Sequence, residues 1–496
     1  MLKISGMELI LIVVSRGIGH IHAFGLALIF ISSVGCGKID GSAVSVVSSV
    51  RAPSDLSYKW DTLTYTVNTQ IATNFATTTG GTPSAYSISP ALPSGLSLSA
   101  TTGAITGTPT SADVQDTYTV TASNSGGSTS ASLTITINAD DSGRIFSAGC
   151  TMTTKRGYHI SILLNTGKVL LAGGYDHAGT LLQSAELFDP STGTCTATGS
   201  MNVGRGDSGV MAFLSNGKVL VAGGTGALSS AEIYDPSTEQ FTVTGTMAVG
   251  RQYAKAVTLE NGKVLVVGGK NATNDPLVSA ELYDPATGTF SLTGSMSSSR
   301  GSYHSITLLQ SGKVLVTGGS FAGAQGDIRG NAEIYDPSTA TFSAVSNNMS
   351  NARNGHGAAL LPNGKVLLAG GRSLAWGATT VTTADLYDPA TNSFAATGNI
   401  TGAARSMSNN YGGDAVLLPN GKVLLVGSHQ DGCTASLNTS DLYNPTTGTF
   451  SAGPTMGTAR QVNGATLLPD GNVFVSGGTT TQCGYGGMVN TTELFQ

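Results

Sequence analysis

The stretch that decides the fold is Asn216-Gly217-Lys218-Val219-Leu220-Val221-Ala222-Gly223-Gly224, a turn pair followed by an apolar run that closes on two glycines. The pattern recurs along the chain, with closing positions that begin at residues 173, 223, 268, 318, 370, 427 and 477. A sequence that repeats itself about every fifty residues is typical of a propeller, a solenoid or an array. The seven copies therefore predict seven structural units of one kind.

Each copy contains four short segments with strand character. The apolar segment 210–214 leads to Asn216-Gly217, a pair that predicts a hairpin with a type I′ turn. The run 219–222 is apolar at every position, as in a strand buried on both faces. Two further strand segments follow, separated by the turn sequence 235–238. Four antiparallel strands per copy predict an all-β fold, a seven-bladed β-propeller.

The ends of the repeat region indicate how the ring closes. Residues 146–152 have the pattern of a fourth strand with no first three before it, and residues 493–496 that of a third strand with no fourth after it. The strand near 146–152 is therefore expected to complete the last blade, which removes a free sheet edge. The propeller is predicted to span residues 145–496.

The repeat resembles the kelch repeat in its paired glycines, its following Glu-x-Tyr-Asp-Pro and its Met…Arg lead-in. The kelch pattern usually has a Trp in the fourth strand. Here that position holds Phe146, Cys195, Phe241, Phe290, Phe342, Phe394 and Phe450. The chain therefore resembles a bacterial variant of the repeat more than the animal adaptor proteins.

The first 36 residues have the composition of an export signal. Residues 23–34 are mostly apolar, Arg16 lies upstream, and Ser33-Val34-Gly35-Cys36 resembles a lipobox, which implies lipidation of Cys36. An ordinary signal peptide and an uncleaved anchor are the alternatives. Residues 37–52 are rich in Ser, Val and Gly and are interpreted as a tether. The expected location is the outer membrane or cell surface, with secretion as the alternative.

Residues 53–139 alternate Thr or Ser with apolar residues, the pattern of half-buried strands. The segments 90–98, 103–109 and 118–124 resemble the Ig-like or cadherin-like modules of bacterial surface proteins. The resemblance implies a small Ig-like β-sandwich that acts as a spacer before the propeller.

Composition limits the possible partners. Only 11% of the residues are charged, against roughly 25% in average domains. The net charge of −5 gives no basic surface for nucleic acid. Of the five cysteines, Cys433 and Cys483 occupy equivalent loop positions in adjacent blades, so a disulfide is expected between them. The pairing of Cys150 and Cys195 is left open.

Function is expected on one face of the propeller. The loops between strands two and three vary, as do the segments that lead into strand one, and in a four-stranded blade both lie on the same face. The contact candidates in these loops are Tyr175, Asp176, His177, Phe321, Arg329, Trp376 and His429. Each is also compatible with an ordinary loop side chain.

An arginine follows the Met position in every copy. The seven are Arg156, Arg205, Arg251, Arg300, Arg353, Arg405 and Arg460. A ring of positive charge could bind anions, but each copy also has a carboxylate at the start of strand three, as in Glu281. Structural Arg–carboxylate pairs are the preferred interpretation, because an unpaired buried charge is costly.

Catalysis is weakly indicated. His159, His304 and His356 fall on inner strands of non-equivalent blades, and neither a metal site nor a cofactor is assigned. Galactose-oxidase-like proteins share the kelch scaffold, but they hold copper with two His and two Tyr, a set that cannot be placed here. The sequence thus favours a surface-binding or adhesion protein that presents its loop face to a protein or glycan. A copper oxidase or another carbohydrate-active propeller is the alternative.

Overall fold

The computed structural model describes residues 50–68, 70–111, 113–138, 143–206, 209–321, 328–373, 381–401, 415–427, 436–461, 464–480 and 487–496. Within these ranges the chain forms 36 β-strands and no α-helix, which confirms the all-β prediction. No helix in the described part is long and apolar enough to cross a bilayer. The predictions for Cys36, Trp376, Arg405, His429, Cys433 and Cys483 fall outside the described residues.

The N-terminal domain contains three small sheets around one core. Its strands are β1 (Pro53–Tyr58), β2 (Thr62–Thr66), β3 (Ala76–Gly80), β4 (Ala85–Ser89), β5 (Leu96–Leu98), β6 (Ile105–Gly107), β7 (Asp113–Asn124) and β8 (Gly127–Asn138). They pair in the orders β2-β8-β7-β4, β1-β3 and β5-β6. Leu133, Ile135 and Ile137 of β8 are buried at alternate positions. This period of two is the reason that the Thr-rich sequence forms strands with one core-facing side.

The propeller has seven antiparallel four-stranded sheets. Its first strand in the chain is β9 (Phe146–Thr151). Blades one to three contain β10 (Ile160–Leu163), β11 (Val169–Ala172), β12 (Ala185–Asp189), β13 (Thr194–Thr198), β14 (Gly209–Phe213), β15 (Val219–Gly223), β16 (Ala231–Asp235), β17 (Gln240–Val243), β18 (Lys255–Thr258), β19 (Val264–Val267), β20 (Ala280–Asp284) and β21 (Thr289–Leu292).

Blades four to six contain β22 (Ser305–Leu308), β23 (Val314–Thr317), β24 (Ala332–Asp336), β25 (Thr341–Ala344), β26 (Gly357–Leu360), β27 (Val366–Ala369), β28 (Ala384–Asp388), β29 (Ser393–Ala396), β30 (Ala415–Leu417), β31 (Val423–Val426), β32 (Ser440–Asn444) and β33 (Thr449–Ala452). Blade seven contains β34 (Gly464–Leu467), β35 (Val473–Ser476) and β36 (Thr491–Phe495), with β9 as its fourth strand.

The first strands of the blades surround the axis. Each contacts the first strand of the next blade, and β34 contacts β10, so that the ring is closed. The second strands are buried along their whole length, as their continuous apolar sequence predicts. In five blades a fourth-strand Phe packs on the third-strand Tyr, as Phe241 does on Tyr234 with ring centroids 4.8 Å apart. Aromatic packing thereby stabilises the outer edge of these five blades.

The turn predicted at Asn216-Gly217 differs from the expected type I′ geometry. Leu214 N–H donates to Lys218 O (2.8 Å) and Gly217 N–H donates to Leu214 O (2.9 Å), so the loop has three residues rather than two. Within it only Gly217 has a positive φ, +81°. Asn216 instead accepts a hydrogen bond from Lys218 N–H through its side chain. The Gly therefore supplies the left-handed position of a bulged hairpin, and the Asn supplies the side-chain bond.

The ring is joined covalently between blades seven and one. Strand β9 pairs antiparallel with β36, and Phe146 stands opposite Phe495. Cys150 of β9 forms a disulfide with Cys195 of β13, the fourth strand of blade one, with Cα atoms 5.7 Å apart. This pairing resolves the question that the sequence left open. The disulfide links the strand that closes the ring to the neighbouring blade.

Candidate binding face

The paired glycines and the arginine build one buried polar unit in the six repeats whose arginine the structure describes. In blade three, Arg251 Nη1 donates to Gly268 O (3.0 Å) and Ser279 O (2.8 Å). Its Nη2 donates to Ser279 Oγ (2.9 Å) and Glu281 Oε1 (3.0 Å). Glu281 also accepts from Ala248 N–H (2.7 Å) and Val249 N–H (3.1 Å). The pair therefore ties the segment before strand one to the ends of strands two and three.

The same ion pair recurs in the described blades. The pairs are Arg156–Glu186, Arg205–Glu232, Arg251–Glu281, Arg300–Glu333, Arg353–Asp385 and Arg460–Glu493. All six arginine side chains are completely buried. Burial lowers the pKa of Arg251, and the hydrogen bond and charge of Glu281 oppose this shift. Each guanidinium is thus held inside its blade and is not displayed to ligands as a cationic funnel.

The opposite end of the propeller carries a second set of ion pairs that sequence reasoning missed. They join the Lys after the first turn to the Asp before the second turn: Lys168–Asp189, Lys218–Asp235, Lys263–Asp284, Lys313–Asp336 and Lys365–Asp388, at 2.9–3.4 Å. The repeated Asn-Gly-Lys and Tyr-Asp-Pro were the available signal. Hydrogen bonds from Ser237 and Lys218 lower the pKa of Asp235 to about 2. This end thus repeats the same pair in blades one to five, whereas Asn444 replaces the Asp in blade six and Asn472 replaces the Lys in blade seven.

The variable loops meet on the other end, which we call the loop face. The residue after the paired glycines pairs with a residue just after the arginine in Gly157–Tyr175, Gln252–Lys270, Ser302–Ser320, Asn354–Arg372 and Gln461–Thr479. The buried arginine unit fixes the backbone of both partners. The side chains at these positions differ in size and charge. The loop face therefore combines a repeated frame with variable side chains, the arrangement expected of a binding surface.

Three tyrosines on the loop face have unusual backbone conformations. Tyr158, Tyr253 and Tyr303 each precede the first strand of a blade, with φ of 57°, 61° and 59°. Gly355 occupies the equivalent position in blade five with φ of 56°. A bulky residue in this region costs about 1–3 kcal/mol and is found most often where function requires it. Sequence reasoning did not single out these tyrosines, because a Tyr gives no signal for positive φ.

The tyrosines form two aromatic contacts. The rings of Tyr158 and Tyr175 are perpendicular, with centroids 6.3 Å apart, and Tyr175 OH lies 2.8 Å from Thr225 Oγ1. The rings of Tyr253 and Tyr303 lie 5.9 Å apart across the boundary of blades three and four. The Lys270 ammonium lies 5.8 Å from the Tyr253 centroid. Burial lowers the pKa of Lys270. We call Tyr253, Lys270 and Tyr303 the Tyr–Lys cluster.

The contact candidates predicted from sequence occupy different environments on the loop face. Tyr175 is only 8% exposed and packs within the frame. Asp176 accepts hydrogen bonds from Ala178 N–H and Thr180 N–H, which shape its loop and lower its pKa. His177 is exposed. Phe321 is 40% exposed, and the Arg329 guanidinium lies 5.3 Å from its ring centroid. Among the five candidates that the structure describes, His177, Phe321 and Arg329 have the accessibility or ring contact of direct ligand groups.

The three inner histidines connect neighbouring blades. His159 Nε2 lies 2.9 Å from Ser476 Oγ, and His356 Nε2 lies 2.8 Å from Thr317 Oγ1. His304 Nε2–H donates to Val267 O at 3.3 Å. Burial lowers the pKa of His159 to about 3, and Arg156 adds to this shift. Each neutral imidazole thus bonds the end of the second strand in the preceding blade. Among the described residues no group of three possible metal ligands occurs.

Comparison with known proteins identifies both parts of the chain. The family described as "Putative Ig domain" matches residues 40–138, and the Kelch motif matches residues 157–202, 212–248 and 253–297. The chain therefore contains an N-terminal Ig-like domain and Kelch motifs within its β-propeller. Kelch repeats generally mediate protein binding. No curated protein sequence matches the chain.

Solved structures share the architecture at low sequence identity. A fungal alcohol oxidase of the AA5 family, in complex with copper, is similar with a TM-score of 0.58 and 17% identity over 71% of this chain and 76% of its own. The structure of YjhT is similar with a TM-score of 0.47 and 16% identity over 61% of this chain and 98% of its own. The likeness to the oxidase extends to the fold alone.

Proposed function

We propose that the protein is an exported surface-binding protein whose propeller presents the loop face to a protein or glycan ligand. The observation that carries this proposal is the contrast between the two ends of the propeller. One end repeats the same Lys–Asp pair in five blades. The other places different side chains on equivalent backbone positions fixed by the buried arginine units. Variation on a rigid frame is what selective recognition requires.

The proposed location is the cell surface, with lipid attached at Cys36. The apolar leader and lipobox-like sequence support export. The disulfide between Cys150 and Cys195 agrees with an oxidising compartment. In this arrangement the Ig-like domain spaces the propeller from the membrane. Labelling of cells with a radioactive fatty acid should mark the chain, and Cys36→Ser should remove the label. Equal labelling of both proteins would contradict lipid attachment at Cys36.

Replacement of two loop tips tests the binding face. In blades one and three, residues 176–180 and 271–275 close on themselves through backbone hydrogen bonds, so Gly-Ser segments of equal length can replace them with little effect on the strands. Full-length protein carrying both replacements should lose its targets on arrays of glycans and extracellular proteins. The control carries Lys263→Met and Lys313→Met at the opposite end and should keep them. Unchanged binding after loop replacement would refute the proposal.

A further inference from the structure

The Tyr–Lys cluster contains a half-buried cation, Lys270, that has no carboxylate partner in the described part of the chain. The described ion pairs of the propeller include none for Lys270. Its ammonium instead lies over Tyr253. Burial lowers the pKa of Lys270, and no ion pair among the described residues opposes this shift. A half-buried charge of this kind is available to a ligand of opposite sign.

The neighbouring backbone leaves space for the Lys270 side chain. Lys270 is held by backbone bridges to Gln252 on one side and Pro276 on the other. A Cβ added at Gly301 would lie only 3.1 Å from Lys270 Cε, so the absence of a side chain there lets the lysine stem cross the blade boundary. The ammonium is therefore positioned by the frame and does not extend freely into solvent.

The two tyrosines of this cluster have strained backbone conformations. Tyr253 and Tyr303 are half-buried and share the left-handed conformation that Gly355 adopts at the equivalent position. Glycine would provide this conformation at no steric cost. A tyrosine in that place adds an aromatic face at the expense of stability, which points to a ligand contact. Ser302 and Gln252 directly precede the two tyrosines in the chain; Ser302 Oγ lies 2.8 Å from Ser320 Oγ, and Gln252 Nε2 donates to Asn274 Oδ1.

We infer that the Tyr–Lys cluster is a subsite for an acidic glycan. In it Lys270 binds the carboxylate of a uronate-type sugar, and the Tyr253–Tyr303 pair contacts the sugar ring. A pyranose ring has a C–H face that packs on an aromatic ring and hydroxyl groups that bond to polar side chains. Its carboxylate matches the ammonium. An acidic peptide would carry the same charge, but its apolar side chains would meet serine and glutamine here. This inference rests on the loop face being the binding surface.

Calorimetry of the full-length chain with paired probes tests this inference. The probes are oligogalacturonate, oligomannuronate and hyaluronan fragments, the methyl esters of the same sugars, and poly-glutamate. At least one free acid should bind, and its ester should bind at least about tenfold more weakly, a loss of 1.4 kcal/mol or more. Absence of binding to every free acid, equal binding of the ester, or equal or tighter binding of poly-glutamate would each overturn the inference.

Two variants separate binding from folding. Lys270→Met keeps an unbranched stem beside Gly301 but removes the charge, and should weaken binding of the free acid at least about tenfold. Tyr303→Gly should weaken binding similarly without lowering the melting temperature, because glycine relieves the positive φ. Ala340→Gly is the matched control: it relieves a φ of 55° in the same blade at the opposite end, and should leave binding unchanged.

The outcomes also distinguish this inference from the proposed function. Unaltered affinity in Lys270→Met would overturn the uronate subsite. If the loop-tip replacements still abolished binding of another target, the loop face would remain the binding surface. If neither the loop tips nor Lys270 affected any binding, both proposals would be wrong.

Discussion

The buried Arg–carboxylate unit gives the sharpest stability prediction. Arg251→Met preserves part of the side-chain volume but removes four hydrogen bonds, to Gly268 O, Ser279 O, Ser279 Oγ and Glu281. Both charged side chains are fully buried, so the change leaves the carboxylate of Glu281 without its cation. Breaking a buried pair from one side costs about 3–5 kcal/mol. We expect Arg251→Met to lower the free energy of unfolding by that amount.

Guanidinium-induced unfolding followed by far-UV circular dichroism measures this loss. Lys263→Met in the same blade removes a half-exposed ion pair with Asp284 and serves as the control, with a much smaller expected effect. A second variant, Glu281→Gln, removes the charge and keeps an acceptor oxygen for only one of Ala248 N–H and Val249 N–H, so it should also destabilise the blade. If Arg251→Met were as stable as Lys263→Met but lost ligand binding, the arginine would be a ligand group and the structural interpretation would be refuted.

Three further predictions concern closure, acid stability and metal. Replacing Cys150 and Cys195 by Ser removes a link across 45 residues and should destabilise the protein by about 4 kcal/mol in the chain-entropy treatment, as measured by denaturant unfolding; an unchanged midpoint would contradict it. Because the folded-state pKa of His159 and of His304 is lowered from 6.5 to about 3, their contribution to stability is complete above pH 6.5 and declines as the pH falls from 6.5 toward 3. His159→Gln should make the melting temperature less sensitive to pH over this interval, and an identical slope would contradict the assignment. Elemental mass spectrometry of the full-length protein should show no stoichiometric copper, and stoichiometric copper would direct attention to oxidase chemistry instead.

The fold could be predicted because its information is local and repeated. Each apolar run bounded by a turn and paired glycines specifies a buried second strand, as in 219–222, and seven copies specify seven blades. The prediction of a type I′ turn at Asn216-Gly217 was wrong, because the same dipeptide also suits a three-residue bulged loop. Sequence alone does not show which residue of such a turn adopts the positive φ.

The candidate site was only partly predictable. The carboxylate and arginine positions are visible in every repeat, and their proximity follows from blade topology. Tyr253, Lys270 and Tyr303 come from three segments up to 50 residues apart and meet only at the boundary of two blades. Their distinguishing features are backbone conformation and desolvation, which depend on the folded chain. The sequence left the pairing of Cys150 and Cys195 open for the same reason, since β9 reaches blade one only after the ring closes.

Hydrogen–deuterium exchange of the full-length protein with its tightest array target tests the central claim most directly. We expect slower amide exchange on binding in the loop tips 176–180 and 271–275, both on the loop face. The turns 215–218 and 235–239 at the opposite end should be unaffected. Protection confined to those turns, or to the Ig-like domain, would contradict the assignment of the loop face as the binding surface.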